Sequence, residues 1–72
     1  MTTDEIIDFS KNLTLEFSEM KKIGMKVPKK TVSLVSDIPK FTKFIEENQI
    51  YYGGGSRELS TMADFLISVT ET

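Results

Sequence analysis

Between Thr3 and Ile23 the apolar residues Ile6, Phe9, Leu13, Phe17 and Met20 return at every third or fourth position. At about 100° of rotation per residue, that spacing lines one stripe of an amphipathic helix. Thr3 stands where an N-cap belongs, followed by Asp4, Glu5 and Asp8 at the positive end of the helix dipole, while Lys21 and Lys22 occupy the negative end. Gly24 then supplies a left-handed stop, and Pro28 prevents the helix from resuming at once.

The next stretch carries two conflicting signals. Thr31, Val32, Ser33, Leu34 and Val35 alternate as a strand would, yet they follow a proline suited to the first turn of a helix. A short helix from Pro28 to Ser36 is the favoured reading, with a strand as the alternative. Ile38 precedes Pro39 and is biased away from the helical region, so a break belongs there. A further helix is predicted from Asp37–Pro39 to about Asn48, with Ile38, Phe41, Phe44 and Ile45 on one face and Lys40, Lys43, Glu46 and Glu47 turned away.

Ile50, Tyr51 and Tyr52 read as a short extended piece, and Gly53, Gly54 and Gly55 hold no regular structure unaided. Ser56 suits the N-cap of a last helix whose stripe is Leu59, Met62, Ala63, Leu66 and Val69, and whose end at Thr70, Glu71 and Thr72 should fray. The predicted fold class is all-α or mainly α. It is a three- to four-helix bundle over residues 1–72 as one small domain, with an extended segment around Ile50–Tyr52 as its non-helical option.

Composition narrows the chemistry. The 72 residues include no Cys and no His, which removes thiol nucleophiles, imidazole bases, disulfides and nearly every zinc site. Paired acids remain, but Glu46 and Glu47 share a solvated helix face and Asp4 and Glu5 belong to a helix start, so neither pair is placed for acid–base work. No enzyme, no cofactor and no metal site is expected. Apolar runs fall far short of the roughly 20 residues that span a bilayer, and the acidic N-terminus does not resemble a secretory signal. No membrane partner is therefore expected. The lack of disulfides favours a cytoplasmic home, and Met1 fits a complete small gene product.

Charge is uneven along the chain. From Met1 to Met20 five acids stand against Lys11; from Lys21 to Lys43 seven lysines stand against Asp37; from Phe44 onward five acids stand against Arg57. The basic middle, Lys21, Lys22, Lys26, Lys29, Lys30, Lys40 and Lys43, reads either as a face that attracts an acidic protein or phosphates, or as a solvated surface paired with the acidic ends.

Three further signals sit nearby. Gly53–Gly55, Ser56 and Arg57 before a helix start are an anion cradle or a plain flexible loop. Tyr51 and Tyr52 read either as one ring inward and one outward, the outward ring a candidate contact hot spot, or as two rings that seal the bottom of the bundle with their hydroxyls in water. Leu15 and Phe65 lie off the buried stripes and mark a possible dimer or partner surface.

The leading functional expectation is a small non-catalytic regulator, adaptor or inhibitor that binds another protein. Its expected contact residues are Tyr51, Tyr52, Arg57, Lys26, Lys29, Lys30, Lys40 and Lys43, and homodimerisation is compatible with it. The alternative is a DNA-binding regulator of winged helix-turn-helix type, with Pro39–Gln49 as recognition helix and the glycines as wing. Against that alternative stand the scarcity of Arg and the acids Glu46 and Glu47.

Overall fold

The computed structural model describes residues 2–50 and 56–71, the side chains of 56–58 aside. Four helices are present among the described residues: α1 (Thr3–Lys22), α2 (Lys29–Ser36), α3 (Ile38–Asn48) and α4 (Ser56–Glu71). No strand occurs among them, so the fold is an all-α bundle and the helical reading of Pro28–Ser36 holds. The extended piece expected at Tyr51 and Tyr52 lies outside the described residues. Ile50, which is described, is buried.

Helix α1 is the centre of the bundle. It packs against α2, α3 and α4; α2 also packs on α3 and α4, whereas α3 and α4 do not pack directly on each other among the described residues. The whole α1 stripe, Ile6, Phe9, Leu13, Phe17 and Met20, is buried against Leu34, Val35, Phe41, Ile45, Ile50, Ala63 and Leu66. Phe9 and Phe41 meet with ring centroids 5.6 Å apart and planes tilted by 41°, an edge-biased geometry that aromatic quadrupoles favour. The radius of gyration, 11.2 Å, is what a fully packed chain of this length reaches, about 11 Å.

Local chemistry accounts for the helix ends. The N-cap of α1 is Thr2, one residue before the expected Thr3. Thr2 Oγ1 accepts from the Glu5 amide (3.2 Å) and Glu5 Oε1 accepts from the Thr2 amide (3.0 Å), a reciprocal capping box. Thr2 wins because it lies three residues before a glutamate, and the residue three after Thr3 is the apolar Ile6. At the other end Gly24 adopts φ +88°, as expected. Its amide donates to Lys21 O (3.1 Å) and the Met25 amide to Met20 O (2.9 Å), closing a Schellman turn.

Asp37 joins α2 to α3 as a single linking residue. Its amide donates to Ser33 O (3.2 Å) and Leu34 O (3.3 Å), its carbonyl accepts from the Phe41 amide (2.8 Å), and its Oδ1 accepts from the Lys40 amide (3.3 Å). The break expected at Ile38 thus falls on Asp37, which is extended at φ −93°, ψ 95°, leaving Ile38 and Pro39 in the first turn of α3. Helix α3 ends on Gln49 in the left-handed region at φ 51°, with the Ile50 amide donating to Ile45 O (3.1 Å).

Polar groups tie the helices where apolar packing alone would leave them orphaned. Val35 is fully buried, and the residue four positions on is Pro39, which has no N–H to give its carbonyl. The buried Ser10 hydroxyl of α1 donates to that carbonyl instead, at 2.7 Å. The fully buried Thr31 of α2 bonds hydroxyl to hydroxyl with Thr70 of α4. Ser60 Oγ of α4 donates to Glu16 Oε1 of α1 at 2.9 Å. Thr70 was expected to fray; instead α4 runs to Glu71, and the Thr70 hydroxyl also donates to Leu66 O (2.8 Å).

Candidate functional site

The start of α2, the first turn of α3 and the last turn of α4 converge on one open groove of about 490 Å³, lined by Lys29, Lys30, Ser33, Leu34, Lys40 and Thr70. The tight link at Asp37 brings it about: with one residue between the helices, α3 turns back beside α2 and sets Lys40 opposite Lys29 and Lys30. Thr70 enters because its hydroxyl is fixed on Thr31. Leu34, at 8% exposure, gives the groove an apolar base, and lysine stems extend such a base while their ammonium groups reach water.

The electrostatics at the groove are one-sided. Among the described residues Lys29, Lys30 and Lys40 make no ion pair. The first turn of α2 carries no acid, and its N-cap, Pro28, makes no side-chain capping bond, so the positive end of the helix dipole adds to the lysine charge without local compensation. Each ammonium offers three donors and a compact charge, which suits carboxylates and phosphates without imposing the planar geometry of arginine.

The other expected contact residues divide. Lys26 is exposed in the link between α1 and α2 and does not line the groove. Lys43 lies beyond Lys40 on α3 and faces Glu47 at 4.0 Å, with both side chains well exposed. Tyr51 and Tyr52 lie outside the described residues, as do the side chains of Ser56 and Arg57, so the glycine-loop readings fall there too. Leu15 is 66% exposed and Phe65 41%; Leu15 borders a second groove of about 510 Å³ with Ser10, Lys11, Thr14 and Ser36.

Sequence reasoning missed Ser33, Leu34 and Thr70 as groove residues. Thr70 carries no local signal, because only the packing of α4 on α2 brings it there. It also missed the two exposed apolar residues of the α1–α2 turn, Ile23 at 76% and Met25 at 44%. Their signal was available: Ile23 continues beyond the last residue of the buried stripe, and Met25 follows the helix stop.

The approach to helix α3 differs from that in a helix-turn-helix in one respect. The link before it is one residue, Asp37, where a helix-turn-helix has three or four. The Thr42 hydroxyl of α3 is turned back onto Ile38 O at 2.7 Å. Among the described residues no group of three or more acidic residues is placed to hold a metal ion, and no helix is long and apolar enough to cross a membrane. Compared with known proteins, the chain matches no family model, no curated protein and no solved structure.

Proposed function

We propose that this protein is a small non-catalytic binding module, a regulator, adaptor or inhibitor, that holds an acidic segment of a partner protein in the groove edged by Lys29, Lys30 and Lys40. One observation carries the reading: three lysines, unpaired among the described residues, ring a base that includes Leu34. Carboxylates on the rim and an apolar side chain on the base would both be satisfied there, and a rim of like charges repels itself until such a ligand arrives.

The test is capture from nuclease-treated native lysate of the source, comparing the tagged wild-type chain with Lys29→Glu/Lys30→Glu/Lys40→Glu. All three side chains are exposed, so the variant should keep its helical circular dichroism. A near-stoichiometric protein held by the wild type and lost by the variant is the expected result. Capture unchanged by charge reversal would refute the groove. Loss of every captured species on nuclease treatment would move the lysines to nucleic acid, where affinity falls steeply with salt.

A further inference from the structure

The turn between α1 and α2 has a different character from the groove. It combines exposed apolar side chains with lysines before and after them in the chain. Ile23, at 76% exposure, and Met25, at 44%, project from it, with Lys21, Lys22 and Lys26 exposed around them. A methyl group added to Gly24 would meet nothing within 4 Å, so the space beside that residue is open.

We infer that this turn is a contact for an anionic membrane surface: Ile23 and Met25 enter the headgroup region while Lys21, Lys22 and Lys26 engage lipid phosphates and carboxylates. This goes beyond the acidic-partner reading of the groove, and either can fail without the other. Three observations favour a bilayer as occupant. The first is charge, since three lysines within six residues meet one nearby acid, Glu19, whose pairing with Lys22 at 3.3 Å is exposed on both sides and so adds little.

The second is access. Residues 21–26 are all exposed and the space beside Gly24 is open, and a fluid headgroup layer moulds itself around such a surface. The third is the backbone. The Ile23 amide donates to Glu19 O (3.3 Å), the Gly24 amide to Lys21 O (3.1 Å) and the Met25 amide to Met20 O (2.9 Å). The amides of residues 23–25 therefore have partners inside the turn, which lowers the cost of moving it out of bulk water. Contact of this kind needs no spanning helix.

Sedimentation with vesicles tests the inference, using phosphatidylcholine alone and an equimolar mixture with phosphatidylserine, at low ionic strength. Wild type should pellet with the mixed vesicles and not with phosphatidylcholine. Lysines near an anionic surface contribute about fivefold each, so Lys21→Ala/Lys22→Ala/Lys26→Ala should weaken binding about a hundredfold. Ile23→Ser/Met25→Ser retains every charge and should weaken it about tenfold or more.

Should the double serine variant fail to fold, Met25→Trp provides a second readout, a blue shift of indole emission on mixed vesicles. Absence of binding to the mixed vesicles, equal binding to phosphatidylcholine, undiminished binding by a folded serine variant, or an unshifted tryptophan would each overturn the inference.

Discussion

Replacing Ser10 by alanine isolates one buried hydrogen bond. Its hydroxyl lies 2.7 Å from the Val35 carbonyl, Ser10 is 7% exposed and Val35 is fully buried. No backbone amide four residues on can substitute, because that residue is Pro39. Leaving such an acceptor unsatisfied costs about 1–3 kcal/mol. Alanine returns about 0.5 kcal/mol through its better helix propensity in the middle of α1.

The net expectation is therefore a loss of about 0.5–2.5 kcal/mol. For a chain whose total stability is on the order of 4–11 kcal/mol, that is a large share. It corresponds to a fall in Tm of roughly 4–8 °C per kcal/mol. Urea unfolding followed by far-ultraviolet circular dichroism measures it, with the exposed Ser33→Ala of α2 as a control that lacks the buried acceptor. An Ser10→Ala midpoint at or above that of wild type, with an unchanged slope, would show that water or repacking satisfies the carbonyl and would refute the argument.

Two other outcomes follow from the helix ends. Gln49→Gly should stabilise the chain by about 0.5–1 kcal/mol, because Gln49 holds φ 51° at the end of α3 and glycine enters that region without the steric cost a side chain incurs; a lowered Tm would contradict this. The hydrogen bonds from the Thr2 amide and hydroxyl hold the Glu5 carboxyl below the ordinary glutamate pKa. A carboxylate with a depressed folded value contributes stability above its unfolded pKa and loses it as pH falls through the folded value. The urea midpoints of wild type and Glu5→Gln should therefore differ near neutrality and converge in acid, and a gap independent of pH would count against the capping box.

Much of the fold was legible because large apolar side chains leave few ways to bury them. The stripes of α1 and α3 each line a single face, and those residues are buried or half-buried. The Thr2 cap was legible too, since the spacing Thr2-x-x-Glu5 is the capping-box pattern and Thr3 lacks it. Helix α2 was ambiguous for a physical reason: its β-branched Thr31, Val32 and Val35 suit a strand equally well. Packing decides the matter, because the helix puts Thr31, Leu34 and Val35 on one buried face.

By itself the sequence determined three amphipathic helices, the breaks at Gly24 and near Pro39, and a basic middle between acidic ends, since each follows from residues within a few positions of one another. Tertiary structure alone decided that two polar residues, Ser10 and Thr31, lie inside, and that Lys29, Lys30 and Lys40 share a groove with Thr70, 30 to 41 residues along the chain. Such groupings depend on how α1, α2 and α4 are laid against one another. The i−4 spacing names the carbonyl a proline leaves unpaired, but no local period encodes which distant hydroxyl will reach it.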